Sequence, residues 1–243
     1  MRHNFSVFLL FLLLTSLSAC DRSATPEAPL NSPQVIKIGL PPTLAYLKDQ
    51  LSACATADPS YDLLLLEKNS SDWMREPVEM VLTLQNAVSG STNTFFIQEI
   101  DVAVIAGLSF PLNELTIEQL KSLYNTDSSD SQQAGLPDGF VPDLWGFEPH
   151  SDMADLFTTQ FLFSPQLPDD AHLAVSPQSM LESISQSADA IGYTLSPVVT
   201  DQVNLLTITD EIQSPSIPVI ASFKLPPSPV QEMLLRCLQT PTK

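Results

Sequence analysis

Residue types that carry enzymatic chemistry are sparse in this chain. Histidine, the side chain that most readily exchanges a proton near neutral pH, occurs three times, at His3, His150 and His172. The sequence contains no G-x-S-x-G nucleophile motif, no H-E-x-x-H zinc motif and no Walker phosphate-binding motif. A carboxylate pair such as Asp152 and Asp155 is expected by chance among 28 acidic residues. We therefore predict a protein that is not an enzyme and that has no cofactor and no metal site.

The N-terminus has the three parts of a secretory signal. Two basic residues, Arg2 and His3, precede an apolar run over 5–19, which is shorter than the ~20 residues of a membrane-spanning helix. The sequence Leu-Ser-Ala-Cys at 17–20 resembles the lipobox of bacterial lipoproteins, in which the signal is cut before a lipidated cysteine. We expect a signal peptide over 1–19 and lipid attachment at Cys20. An ordinary cleavage site beside a chance cysteine is the alternative.

Composition divides the remainder into a tether and a domain. Residues 20–34 are rich in Pro, Ser and Ala and lack periodicity, which is typical of a flexible linker. Residues 35–243 are enough for one domain or two small lobes. The net charge of −18 argues against nucleic acid and anionic lipid headgroups as partners. We therefore expect a monomer held at the outer face of the cytoplasmic membrane by its lipid anchor, in the periplasm or at the cell surface.

The two other cysteines are far apart in sequence and lie late in helix-like segments. Cys54 shares one face of the segment 42–54 with its leucines, and Cys237 lies on the apolar face of the segment 228–239. An even pair of cysteines outside the cytosol favours a disulfide. Two buried free thiols are the alternative.

Strand-like and helix-like runs alternate along the chain. Strands are predicted over 35–40, 61–68, 79–85, 101–107, 172–176, 190–196, 203–209 and from 218, and helices over 42–54, 115–125, 151–163, 177–187 and 228–239. Ser or Thr precedes four of these helices as an N-cap, with Gln three residues after Thr116 and Ser228. The acidic, serine-rich stretch 125–143 is predicted to be a mobile surface loop. This alternation indicates an α/β fold.

Three segments, in matching order and spacing, resemble the phosphate-type periplasmic solute-binding proteins. They are "DVAVIAGLSFPLNELTIEQLKSLYN" from 101, "HSDMADLFTTQFL" from 150 and "LAVSPQSMLESISQSADAIGYTLS" from 173. The resemblance covers 101–208 well and the rest more loosely. It implies a two-lobed α/β fold of type 2, each lobe a mixed sheet flanked by helices. The first lobe would comprise about 35–100 plus 205–243, and the second about 101–204.

The resemblance also implies where the first lobe would touch a ligand. Members of the family hold an oxyanion with helix N-termini, whose amides and positive dipole end face it, and with Ser or Thr hydroxyls. The corresponding loop here contains Pro41 and Pro42, which have no N–H to donate. Thr43 and the amide of Leu44 remain as candidate ligand contacts.

The second lobe would contribute the start of the helix near position 151. Ser151, Asp152 and Met153 are the candidate ligand contacts there. "HSDM" stands where the family has "SGT", which places Asp152 where a glycine would let the anion approach. An ionised aspartate satisfies the helix dipole itself and repels an anion, so this site is predicted to suit a ligand with a donor or a positive charge.

These features predict a lipoprotein that captures a small molecule or an anion between two lobes. The resemblance implies an ABC-type importer, and so an ABC permease, as the partner. The alternative is a non-transporting envelope lipoprotein, with a sensory, adhesive or assembly role, that kept the fold and lost the anion site.

Overall fold

The computed structural model describes residues 33–68, 73, 76–85, 91, 93–124, 135–161, 163, 167–210 and 216–240. The predicted signal peptide, Cys20 and nearly all of the predicted tether lie outside the described residues, as does the stretch 125–134 of the predicted surface loop. Within the described part of the chain, no helix is long and apolar enough to span a membrane.

Eleven strands and five α-helices form in the described part of the chain. The strands are β1 (Gln34–Leu40), β2 (Tyr61–Glu67), β3 (Met80–Leu84), β4 (Asn93–Ile100), β5 (Val102–Ala106), β6 (Glu114–Leu115), β7 (Asp143–Phe147), β8 (His172–Ala174), β9 (Ala190–Leu195), β10 (Asn204–Ile208) and β11 (Ile217–Phe223). The helices are α1 (Leu47–Ala57), α2 (Ile117–Leu123), α3 (Asp152–Phe161), α4 (Pro177–Gln186) and α5 (Pro229–Leu238), with 3₁₀ turns at Pro42–Leu44 and Ser196–Val198.

The strands form two mixed sheets. The first has the order β2-β1-β3-β11-β4, with β1 parallel to β2 and β3, and β11 antiparallel to β3 and β4. The second has the order β6-β10-β5-β9-β7-β8, in which β7 is parallel to β8 and β9 while β5 is antiparallel to β9 and β10. We call each sheet with its helices a lobe. Helices α1 and α5 pack on the first sheet, and α3 and α4 on the second.

Local sequence explains where most helices begin. Thr116 and Ser228 form the predicted capping boxes with Gln119 and Gln231, so two otherwise unpaired amide groups are satisfied at each helix start. The predicted helix over 42–54 instead divides into a 3₁₀ turn and α1, because the amide of Leu44 bonds to the carbonyl of residue 41 rather than to one four residues back.

Three strands were not predicted from the sequence: β4, β7 and the two-residue β6, whose Leu115 falls inside the predicted helix over 115–125. In β4 the alternation of buried and exposed residues is incomplete, and two adjacent phenylalanines, Phe95 and Phe96, obscure its period of two. Strand β7 is short, contains Gly146 and begins at Asp143, the last residue of the predicted loop over 125–143. That loop therefore ends one residue earlier than predicted.

The chain passes between the sheets twice. Asp101 alone separates β4 from β5, so the first passage lies at this residue. The buried amide side chain of Gln160 holds this point: the Val102 N–H donates to Gln160 Oε1 at 2.8 Å, and Gln160 Nε2 donates to the Val102 carbonyl at 2.9 Å. The return follows Ile208 instead of position 205, since β10 pairs with β5 in the second sheet.

A disulfide links α1 to α5 across the first lobe. Cys54 and Cys237 are bonded, with their Cα atoms 6.0 Å apart, within the usual range for a disulfide. Of the two alternatives left open by the sequence, the structure has the disulfide and not a pair of free thiols. The bond is possible because β11 returns the C-terminal helix to the first sheet.

Replacing Cys54 and Cys237 together by serine is expected to lower the free energy of unfolding by about 2–5 kcal/mol. The bond closes a separation of 183 residues, so its loss frees a large part of the unfolded chain. Urea unfolding of the purified protein measures the change. A reducing agent should destabilise the unsubstituted protein equally and leave the double variant unchanged. Equal stability of the oxidised protein and the double variant would contradict the prediction.

Candidate functional site

A cavity of about 280 Å³ lies between the two lobes. The first lobe contributes Pro42 and Thr43, and the second lobe contributes residues 147–153 and 175–177. We call this space the interlobe cavity. Its volume is just below the ~300–1,000 Å³ of pockets that hold drug-sized ligands, so it suits a small molecule.

Strand pairing explains why two helix starts meet at this cavity. Strands β7 and β8 are parallel neighbours, so their carboxyl ends lie at the same edge of the second sheet. Helix α3 follows β7 after four residues, and α4 follows β8 after two. Both helix N-termini therefore lie at that edge, which is where open α/β sheets commonly bind ligands. The 3₁₀ turn that follows β1 forms the opposite wall.

The start of α3 is closed mainly by its own residues. His150 has a left-handed backbone conformation with φ of 66°, which turns the chain from β7 into the helix. The Ser151 N–H donates to the Glu148 carbonyl at 3.0 Å, and Ser151 Oγ accepts from the Ala154 N–H at 3.3 Å. Ser151 is therefore the predicted N-cap. Its hydroxyl proton and second lone pair are still able to engage a bound molecule.

Helix α4 is capped even more completely. Ser176 Oγ accepts from the Ser179 N–H at 3.1 Å, and Ser179 Oγ accepts from the N–H groups of Ser176 and Val175 at 2.9 and 3.1 Å. The amides of Val175, Ser176 and Ser179 are thus bound by side chains, and Pro177 lacks one. Ser176 and Pro177 line the cavity but are not among the ligand contacts predicted from the sequence; a Ser-Pro pair just after a strand is the signal that points to them.

Four of the five residues predicted to contact a ligand line the interlobe cavity. Thr43, Ser151, Asp152 and Met153 lie in its wall. Leu44 does not, because its side chain is fully buried in the core and its amide donates to the Pro41 carbonyl at 2.9 Å in the 3₁₀ turn. The Leu44 amide is therefore engaged and is removed from the candidate site.

Thr43 has an unusual hydroxyl. The residue is 7% exposed, and among the residues that the structure describes its buried Oγ1 has no hydrogen-bond partner. A buried unsatisfied hydroxyl destabilises a fold by about 1–3 kcal/mol relative to a satisfied one. Because Thr43 also lines the cavity, a bound molecule that reaches this oxygen would supply the missing partner.

Tyr46, just after the 3₁₀ turn, joins that turn to the far edge of the first sheet. Its hydroxyl accepts from Gln98 Nε2 on β4 at 2.8 Å. Burial raises the pKa of Tyr46 to about 12, against the smaller opposing effect of the Gln98 hydrogen bond. The hydroxyl is therefore neutral at physiological pH and serves as a hydrogen-bonding anchor behind the cavity wall.

The ionisable side chains in the cavity wall are Glu148, His150 and Asp152. Within the described ranges, no lysine or arginine lines the cavity, and several of them form ion pairs elsewhere, such as Lys48 with Glu67. The described residues also contain no group of His, Cys, Asp and Glu placed to hold a metal ion. The cavity wall therefore carries negative charge next to apolar surface.

No protein-family model matches the sequence, and a sequence search of curated proteins finds no similar protein. Solved structures do match. A protein from Clostridium perfringens, assigned as a phosphate ABC transporter substrate-binding protein and solved with bound phosphate, matches with a TM-score of 0.72 at 15% identity, over 84% of this chain and 93% of that one. An ABC-type phosphate transport receptor from Vibrio cholerae gives 0.62 at 15%, over 84% and 93%.

A regulatory protein shares the same fold. The reduced form of the OxyR regulatory domain from Pseudomonas aeruginosa matches with a TM-score of 0.62 at 12% identity, over 86% of this chain and 98% of that one. At these identities the matches show a common fold. Together with the two mixed sheets, they confirm the predicted two-lobed α/β architecture of periplasmic binding proteins.

Thr43→Val is expected to raise the free energy of unfolding of the ligand-free protein by about 1 kcal/mol, because it replaces an unsatisfied buried hydroxyl by a methyl group of similar size. Thr194→Val is the matched control: Thr194 is fully buried, and its hydroxyl donates to the Pro177 carbonyl at 3.2 Å. The control should be destabilised by about 1 kcal/mol. Urea unfolding of both variants provides the measurement, and a similar loss in both would contradict the prediction.

Proposed function

We propose that this chain is an extracytoplasmic solute-binding lipoprotein that captures a small ligand between its two lobes. The observation that carries the proposal is the interlobe cavity, whose wall includes Thr43 with its buried, unpartnered hydroxyl. Residues from both lobes form this wall, so a bound molecule would contact both and stabilise their mutual arrangement. A ligand that binds the folded state in this way raises stability by RT ln(1 + [L]/Kd).

The disulfide supports a location outside the cytosol. Disulfides such as that between Cys54 and Cys237 persist in oxidising compartments and are rare in the cytosol. The lipobox-like Leu-Ser-Ala-Cys sequence at 17–20 is a separate indication in the same direction, because it comes from a different part of the chain. Both favour a protein tethered through Cys20 at the outer face of the cytoplasmic membrane.

Delivery of the ligand to an ABC-type importer is the function that we infer from the transport proteins with the same fold. The second candidate is a non-transporting envelope lipoprotein that senses a solute or assembles with other proteins. The acidic wall around Asp152 favours it over phosphate uptake, and the OxyR match is to a regulatory domain. Delivery to an importer needs an occupied interlobe cavity, and the second candidate needs one only if the protein senses a solute.

Ligand binding in the interlobe cavity can be tested by filling it. Val175 lines the cavity and is 86% exposed, so Val175→Trp should obstruct the space without disturbing the core. A solute that binds at 100 times its Kd stabilises the protein by about 2.7 kcal/mol, which a thermal-unfolding screen of small solutes detects. We expect Val175→Trp to abolish this stabilisation while the ligand-free protein keeps its melting temperature.

Val141→Trp is the matched control, since Val141 is 79% exposed and lies outside the cavity wall. It should leave the ligand-induced stabilisation unchanged. Equal stabilisation of both tryptophan variants would place the binding site elsewhere. A complete absence of stabilising solutes would favour the assembly role.

Lipid attachment can be tested independently of the ligand. In a bacterial host, Cys20→Ala should prevent incorporation of labelled palmitate and shift the protein out of the membrane fraction, because acyl chains supply ~0.8 kcal/mol of membrane affinity per buried CH₂. The disulfide double variant, which keeps Cys20, serves as the control and should still be labelled. Membrane retention of unlabelled Cys20→Ala protein would contradict lipid anchoring.

A further inference from the structure

We propose that the interlobe cavity takes a small organic cation, an ammonium group on a short hydrocarbon chain, rather than an oxyanion. This inference rests on the proposed solute-binding function and specifies its ligand. Four properties of the described cavity wall support it: its charge, the state of its helix termini, its apolar surface and its unpartnered hydroxyl.

The charge of the wall is the first argument. Glu148 and Asp152 are its carboxylates, and no lysine or arginine of the described residues lies beside them. An anion placed in the cavity would be repelled by both carboxylates, whereas an ammonium ion would be attracted by both. The whole chain adds to this preference, because a net charge of −18 raises the local concentration of cations.

The helix termini are the second argument. An anion bound at helix starts needs backbone amides that point at it. At α4 the amides of Val175, Ser176 and Ser179 already donate to serine hydroxyls, and Pro177 has none. At α3 the first turn contains Asp152, whose negative charge offsets the positive end of the helix dipole. Part of what attracts an anion to such a site is therefore already used by the protein itself: three amides at the start of α4 and the positive dipole end of α3.

The remaining surface distinguishes an organic cation from a metal ion. Half of the lining residues are apolar: Pro42, Phe147, Pro149, Met153, Val175 and Pro177. Such walls match the hydrocarbon part of an amine, whereas a hard metal ion needs a shell of oxygen ligands. The described residues contain no cluster of His, Cys, Asp and Glu suited to a metal. A cavity of about 280 Å³ limits the ligand to a short chain.

Hydroxyl groups complete the recognition of an ammonium ion. Its N–H groups require acceptors, and the Thr43 Oγ1, which has no partner among the described residues, is an acceptor in the first lobe. Ser151 Oγ has a second lone pair in the second lobe. An ammonium group held by these oxygens and by Asp152 would join the two lobes through charge-assisted hydrogen bonds.

Calorimetric titration with defined probes tests the proposal on the full-length protein. The cationic probes are 1,4-diaminobutane and ethanolamine, the anionic probes are sodium phosphate and sulfate, and glycerol is the neutral probe, all at constant ionic strength. We expect at least one cationic probe to bind. Asp152→Asn should lower the affinity for that probe at least about ten-fold, because it removes a charge-assisted hydrogen bond.

Asp155→Asn is the matched control for this substitution. Asp155 lies in the same first turn of α3 but outside the cavity wall, so both variants remove a carboxylate from the helix start. The control should change the affinity for the cation less than about two-fold, and melting temperatures of the ligand-free variants should be similar. Thr43→Val, which is expected to keep the fold, should also lower the affinity for the cation.

The outcomes separate this proposal from the one on which it rests. If a cation binds and both asparagine variants lower the affinity for it equally, the proposed contact with Asp152 is wrong. If phosphate or sulfate binds and Val175→Trp abolishes that binding, the proposal of a cationic ligand is wrong and solute binding in the cavity is supported. The same conclusion follows if glycerol is the only probe that binds. If no probe of any class binds, both proposals fail for small solutes of this size.

Discussion

The insertion of β11 between β3 and β4 is the constraint on which the rest of the structure depends. Its backbone pairs with both neighbours along nearly its whole length, so a strand from the end of the chain closes a sheet begun at its start. This pairing forces the chain to pass between the lobes twice. It also places α5 against α1, where Cys54 and Cys237 meet. Without it, β3 would be an edge strand of a three-stranded sheet and β4 would have no partner in that sheet.

The same topology creates the interlobe cavity without determining its chemistry. Parallel pairing of β7 with β8 brings the starts of α3 and α4 to one edge, and the turn after β1 faces them. On another sequence this arrangement presents amides to an anion. Here the hydroxyls of Ser176 and Ser179 bind three amides at the start of α4, and Asp152 occupies the first turn of α3. Fold and ligand preference are therefore separable, as expected when function resides in a site placed on a common scaffold.

Elements with a strong local signal were predictable, and elements stabilised by distant partners were not. The capped helices at Thr116 and Ser228 and the βαβ unit around α1 follow from capping residues and periodicity within a short window. Strands β4 and β7 are defined by β11 and β9, more than forty residues away along the chain, and their own sequences show little alternation. The candidate site followed the same pattern: a resemblance predicted Thr43, Ser151, Asp152 and Met153, which line the cavity, whereas the contribution of residues 175–177 depended on strand pairing.

The sequence by itself determined the properties that need no partner: an acidic chain with a lipobox-like sequence at 17–20, the capped helices, the alternation of strands and helices, and cysteines on apolar helix faces. Only the tertiary structure decided that those cysteines are bonded, that Leu44 faces the core and that Thr43 retains an unpartnered hydroxyl in the cavity wall. The physical reason is that burial and hydrogen-bond satisfaction depend on which distant segments pack together. Residue type determines which hydrogen bonds a side chain is able to make, and tertiary packing determines whether a partner lies within reach.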